Sequence, residues 1–126
     1  MVNTEDLRTA VAAHVDDNWS QTPIKYDNIE FNEPNKSPWV ELKFLPGPSR
    51  AATTLYNEHL GAVNLVIHVP HGAGTRIAYT YADQLGALFN RQRLGNIRFK
   101  TPTTVPLGEI GEWFVVQVTI PFWVIG

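Results

Sequence analysis

Hydrophobic and polar positions along this chain switch repeatedly between a helical and an extended rhythm. Over residues 4–18, Leu7, Ala10, Val11, His14 and Val15 fall at i, i+3, i+4 spacing and form one stripe. Asn3 or Thr4 can cap that helix, and Glu5 and Asp6 in its first turn suit the dipole. Asp16 and Asp17 suit it badly at the other end, which predicts a stop there. Residues 39–45 alternate instead, with Val40, Leu42 and Phe44 on one side and Trp39, Glu41 and Lys43 on the other. Pro46-Gly47-Pro48 predicts the end of that strand. Over residues 61–69, Val63, Leu65, Ile67 and Val69 point inward and Asn64, Val66 and His68 outward. The helical rhythm returns with Ile77, Tyr81, Leu85, Leu88 and Phe89, after Thr75 as N-cap and before Gly95 as a left-handed stop. Arg91 and Arg93 then complement the C-terminal dipole. Two short strands are predicted near 97–101 and 103–107. In the final alternation, Phe114, Val116, Val118, Ile120 and Phe122 line a core face. Trp113, Val115, Gln117, Thr119 and Trp123 line a face too polar for a core and too aromatic for plain solvent.

Two segments follow neither rhythm. Residues 20–38 are polar and broken by Pro23, Pro34 and Pro38, with 24–31 the one stretch suited to a short extended piece. A connection this long is often an arm or interaction surface, and a plain surface loop is the other reading. Residues 46–59 carry Arg50, Tyr56, Glu58 and His59 and exceed most hairpin connections, which predicts a projecting, mobile loop or hairpin arm. Every predicted strand has one apolar face, so the sheet is covered on one side only, favouring antiparallel or mixed pairing. The expectation is a single two-layer α+β domain over 1–126, with a mixed, mostly antiparallel sheet and two helices packed on one face. The open face would show Trp39, Glu41, Lys43, Asn64, Val66, His68, Gln117 and Thr119, with Trp113 and Trp123 as further members.

Composition narrows the function classes. At 126 residues and 44% hydrophobic, the chain is long enough for a real core and is not of disordered composition. No apolar run approaches the roughly 20 residues that span a bilayer. The start, Met-Val-Asn-Thr-Glu-Asp, lacks the basic and apolar segments of a signal peptide. A soluble protein kept in a cytoplasm is expected. The absence of cysteine removes disulfides, thiol catalysis and Cys-based zinc sites. A net charge of −2 argues against nucleic acid as the main ligand. The charges are unevenly spread. Glu5, Asp6, Asp16, Asp17, Asp27, Glu30 and Glu33 make the first quarter acidic, opposed only by Arg8 and Lys25. Between 76 and 100, Arg76, Arg91, Arg93, Arg98 and Lys100 face only Asp83. If these regions lie on different sides of the fold, one copy can meet another head to tail, closing a ring or growing a filament; two ordinary solvated surfaces are the plainer reading.

No catalytic constellation emerges. His68 and His71, with His14 and His59 as additions, are the best metal candidates, but the pair brackets a proline and lacks Cys or clustered carboxylates. His14 reads as a packed residue. Gly72-Ala73-Gly74-Thr75 stands where a phosphate-binding turn would, yet Ile77 occupies the third glycine position and no Gly-Lys-Ser/Thr follows. Ser20, Ser37 and Ser49 lie in no nucleophile elbow. Asp16 and Asp17 are adjacent rather than opposed across a cleft. No enzyme activity, cofactor or metal is expected.

Three blocks point to a family. They are Ser37-Pro38-Trp39-Val40-Glu41-Leu42 with Leu45-Pro46-Gly47; Gly72-Ala73-Gly74-Thr75-Arg76 leading to Ala82-Asp83-Gln84-Leu85-Gly86-Ala87-Leu88-Phe89; and Trp113-Phe114-Val115-Val116-Gln117-Val118 with Ile120-Pro121-Phe122-Trp123. In this order and at this length the chain resembles the tail terminator proteins of long-tailed bacteriophages, from the first helix to the Pro-Phe-Trp ending. The resemblance implies a structural virion protein that forms a ring, typically a hexamer. That ring caps the tail tube, stops its polymerisation and offers the docking surface for the head–tail connector. The implied partners are further copies of the chain, the tail tube protein and the connector or head-completion protein, with the tape measure protein as a further candidate. DNA would pass through the ring without specific binding, no membrane is involved, and the place would be the head-proximal end of the tail. The family has no catalytic residues to carry over. From faces and loops alone, the expected subunit or tail interface comprises Arg50, Tyr56, Glu58, His59, Trp39, Arg76, Arg91, Arg93, Trp113, Gln117 and Trp123. Another head–tail joining or tail-completion protein, a small ligand- or metal-binding domain, and a plain dimeric α+β domain are the alternatives.

Overall fold

The computed structural model describes residues 3–51 and 57–125. The first helix, α1, spans Thr4–Asn18. The Asn3 carboxamide oxygen caps it, accepting from the backbone N–H of Glu5 at 2.9 Å and of Asp6 at 3.4 Å. A two-residue strand, β1 (Ile24–Lys25), precedes the long hairpin of β2 (Trp39–Ala51) and β3 (Asn57–Pro70). Helix α2 (Arg76–Ala87) follows, then β4 (Arg93–Leu94), β5 (Ile97–Phe99), β6 (Thr103–Ile110) and β7 (Trp113–Ile125). The strands form one sheet in the order β1-β2-β3-β7-β5-β4, with β6 also on β7. Among the described strands only β1–β2 is parallel. Strand β3 occupies one edge of β7 from Trp113 to Ile125. The other edge is divided, β6 taking residues 113–119 and β5 residues 122–124.

One face of this sheet is the core. Val40, Leu42 and Phe44 of β2, Val63 to Val69 at alternate positions of β3, and Val116 to Val124 at alternate positions of β7 are all buried there. Both helices cover that face, giving the expected two-layer α+β arrangement. Val11 and Val15 anchor α1, and His14 joins it to α2, its Nε2 2.8 Å from the Leu88 carbonyl and its ring edge-on to Phe89 at 5.1 Å. Aromatic rings continue across the layer from Phe89 to Phe99 (4.9 Å), Phe122 (6.2 Å) and Phe44 (5.4 Å).

The structure revises several boundaries. Strand β2 does not stop at Leu45 but runs through Pro46-Gly47-Pro48, with a register shift between Pro46 and Ser49, to pair Arg50 with Glu58 and Ala51 with Asn57. Two prolines are tolerated because β1 covers only residues 40 and 41, leaving this stretch as an outer edge with no donor required. The base of the arm is thus a ladder; its tip, residues 52–56, lies outside the described residues. Helix α2 ends at Ala87, and Thr75 makes no side-chain cap. Its buried residues are Ala78, Ala82, Leu85 and Gly86, followed past its end by the buried Phe89, with Tyr81 and Leu88 half-buried and Ile77 exposed. The small residues among them let the helix lie close to the sheet. Arg91, at φ 55°, rather than Gly95 takes the left-handed turn that follows, so Arg91 and Arg93 do not serve the helix dipole. Gly95, at φ 60°, instead turns the β4–β5 hairpin, in which Leu94 pairs with Ile97.

Close packing at the Pro46–Gly61–Phe122 register requires a glycine. A methyl at Gly61 would press on the Phe122 ring and come within 2.7 Å of the Leu45 carbonyl oxygen. Gly61→Ala is therefore expected to destabilise the fold by about 1–3 kcal/mol, because neither backbone nor ring can yield without disturbing the aromatic row. Urea unfolding monitored by circular dichroism checks this, and an unchanged midpoint would contradict it.

Candidate interaction surfaces

Opposite the helices, side chains stand in rows set by the strand register. Trp39, His68 and Val115 form one row; Glu41, Val66 and Gln117 the next; Lys43, Asn64 and Thr119 the third. Strand β6 extends the last two rows with Val105 and Thr103. Leu60 and Trp123 face each other at the far end.

The first row is covered, contrary to expectation. The Trp39 and His68 rings stack at 3.8 Å with only 3° between their planes, and Trp113 meets both edge-on. Phe31 lies against Trp39 at 5.3 Å. Trp113 Nε1 donates to Glu33 at 2.7 Å, and the backbone N–H of Phe44 donates to Asp27 at 3.0 Å. Residues 27–38 are therefore strapped across one end of the face rather than extended as an arm. Trp39 is buried to 6% exposure, Val66 to 5% and Val115 to 2%. The strap has a cost: Trp39 Nε1, like Asn64 Oδ1, is buried without a hydrogen-bond partner among the described residues.

Beyond the buried Val66 the face is less covered, with Lys43 exposed and Glu41, Asn64, Gln117 and Thr119 partly so. Lys25 and Lys43 flank Glu41 at 3.5 and 3.9 Å, and Gln117 donates to Thr119 at 3.2 Å. Beside them β6 presents Val105, Leu107 and Ile110, all more than two-fifths exposed. Pro106 and a bulge between Pro106 and Gly108 blunt the backbone edge of this strand. Its side chains, not its unpaired amides, are what it offers a partner. The sequence reading missed β6 as a surface because Thr103 to Ile110 shows no clean alternation.

The expected interface residues are distributed, not gathered. Trp39 and Trp113 belong to the strapped end, and Gln117 lies in the open middle. Trp123 sits at the far end beneath the Arg98 guanidinium, 5.4 Å from the ring centre. Arg91 and Arg93 are exposed at the β4–β5 edge, where Arg93 Nε donates to the Gly95 carbonyl at 3.1 Å. Arg76 is exposed at the start of α2. His59 is half-buried in the base of the arm, where Arg50 and Glu58 are opposite in the ladder, and Tyr56 lies outside the described residues. Of the metal candidates, His14 is packed between the helices, His68 is stacked, and His71 lies 3.3 Å from Glu109. No group of three or more His, Cys, Asp or Glu converges among the described residues. A groove of about 420 Å³ opens beside Trp113, His71 and Lys36, with no catalytic set facing into it. None of the described helices is long and apolar enough to cross a membrane.

A family model described as phage tail terminator protein matches residues 6–122. Fourteen solved chains match, so the fold recurs. One of them superposes with a TM-score of 0.68 at 19% identity, over 93% of this chain and 94% of its own. At that identity the likeness shows the fold alone. No curated protein sequence matches.

The aromatic cluster carries a pH dependence. Burial holds the His68 imidazole below its ordinary value, against the Val66 carbonyl contact and the charges of Glu41 and Glu33, which favour protonation. The folded state then binds this proton less readily than the unfolded chain. Its stabilisation is complete above the ordinary histidine value of 6.5 and is lost as pH falls through the lower folded value. Acidification from about pH 7 to about pH 5 is expected to lower the unfolding free energy, and His68→Phe, which keeps a ring on Trp39, to flatten that slope. Urea titrations across pH test it; a variant with the wild-type slope would show that other groups are responsible.

Proposed function

The chain belongs to the phage tail terminator protein family, and from that premise we propose that it caps the tail tube as a ring. The family membership makes it a structural component of a bacteriophage tail with a role in tail completion. In our reading, copies close into a ring, with a hexamer as the expected number, at the head-proximal end of the tail. The ring stops tube polymerisation, presents a surface to the head–tail connector and lets DNA pass without holding it. No catalytic role is assigned to any residue, and the tape measure protein is a further candidate contact.

The observation that carries this reading is the partly open sheet face with its apolar border on β6. A sheet with helices on one side leaves the other for a partner unless something covers it, and here residues 27–38 cover only one end. Val105, Leu107 and Ile110 beside Gln117 and Thr119 make a mixed surface, apolar enough to bury and polar enough to stay dissolved beforehand. Blunting of the β6 backbone edge disfavours open-ended strand addition, as a capping component requires.

Replacing Val105 and Leu107 with Asp tests the assignment, because both are exposed and neither enters the core. The double variant is expected to unfold within about 0.5 kcal/mol of wild type. In a phage lacking its own copy it should nevertheless leave tails of uncontrolled length, seen by negative-stain microscopy. Tails of normal length with the variant would remove this face from the capping contact.

A further inference from the structure

The strand order carries the two charge clusters of the sequence to opposite edges of the sheet. Strand β1 is outermost on one edge; Asp16 and Asp17 end the helix that Tyr26 joins to it, and Asp27 and Glu30 follow it in the chain, all four exposed. Tyr26 ties the end of α1 to this edge, its hydroxyl donating to Asp16 at 3.4 Å. Arg8, the nearest cation on α1, is committed to Glu5, and Lys25 to Glu41. Strand β4 is outermost on the other edge, where Arg91, Arg93, Arg98 and Lys100 are exposed. None of these four forms an ion pair with a described residue. Asp6 borders a groove that it shares with the β4–β5 turn.

We infer that the acidic β1 edge of one copy docks on the basic β4–β5 edge of the next. This contact rests on the ring reading given above and names the surfaces that would build the ring. A second copy is the occupant because the two edges are opposite in charge, with Asp16, Asp17 and Glu30 exposed beside an Asp27 that accepts from the Phe44 N–H on one, and Arg91, Arg93, Arg98 and Lys100 exposed on the other. A nucleic acid would account for the basic edge and leave the acidic one unexplained, on a chain whose net charge is −2. The acidic edge also has a groove of about 310 Å³ between α1 and the β1 loop, in which Ala12, Ala13, Tyr26 and Ile29 are bordered by Arg8, Thr9 and Asp16. Ile29 on its rim is 57% exposed. Both outermost strands are only two residues long, so the contact is made by side chains and not by extending the sheet. The edges differ from each other, so the contact is heterologous and propagates until it closes. β1 pairs with residues 40 and 41, whereas β5 pairs with residues 122–124 near the opposite ends of the strands. The docking line therefore runs diagonally, and the strands of each copy are inclined to the plane of the ring.

Reciprocal charge reversal tests this. One variant carries Arg93→Glu and Arg98→Glu; the other carries Asp16→Arg and Asp17→Arg. Each alone should self-associate roughly tenfold or more weakly than wild type in sedimentation velocity and fail to restore tail length. Mixed in equal amounts, the native acidic edge of the first meets the native basic edge of the second, and the two reversed edges meet each other. Assembly should then return, which damage to either fold cannot produce. If wild type is monomeric in solution, the same rescue is read from tail length in cells making both variants. Undiminished assembly by either variant alone, absence of rescue from two variants with wild-type unfolding midpoints, or loss of DNA binding with association unchanged would each overturn the contact. Failure of the wild-type chain itself to restore tail length would instead overturn the terminator reading, so the two failures are distinguishable.

Discussion

Most of this structure depends on β7 being paired along both edges. Strand β3 takes the whole of one edge, while β6 and β5 divide the other, so the surrounding sheet is set by one strand's register. A one-residue slip of β7 would turn Val116, Val118, Ile120 and Phe122 out of the core and bring Gln117 and Thr119 in. That difference between its faces fixes the register, and the register in turn places the open rows of the outer face and the basic β4–β5 edge. Core packing and surface layout are therefore one constraint seen from two sides.

The outer face itself is divided. At one end the stack of Trp39, His68 and Trp113, with Phe31 above and Glu33 on the indole N–H, gives residues 27–38 a fixed place. Beyond the stack the sheet is left to Glu41, Lys43, Gln117 and Thr119. A partner that meets this face therefore meets a step, an aromatic-filled end beside a flatter polar field bordered by β6. Steps of this kind supply orientation as well as area, because a partner in the wrong sense collides with the strap.

The layers, the placement of the helices and the sheet's inner face were legible in the sequence because alternation and helical spacing report burial directly. Val63, Leu65, Ile67, Val116, Val118 and Ile120 needed nothing more. Prolines misled: Pro46 and Pro48 argued for a break, but the strand runs on because this edge has no neighbour to supply with donors. The stripe of α2 was drawn through its largest residues, whereas its small ones, Ala78 and Ala82, face the sheet. The strap was hidden because its anchors, Asp27, Phe31 and Glu33, reach partners that only tertiary folding brings near, Glu33 and Trp113 being 80 residues apart. The charge asymmetry was visible as composition; its meaning waited on the strand order, which no local pattern encodes.

The position of β7 in the chain also bears on how the protein is made. It follows in sequence every strand it pairs with, so during synthesis the inner edge of β3 emerges long before its partner exists. Until then the apolar sides of β2 and β3 have only the helices as shelter, and the sheet cannot close by adding strands in order of appearance. Such non-local pairing slows folding and prolongs exposure of sticky edges. The last strand to be made is thus the one that closes the sheet, and the competent fold lags behind translation by the time β7 needs to find both of its edges.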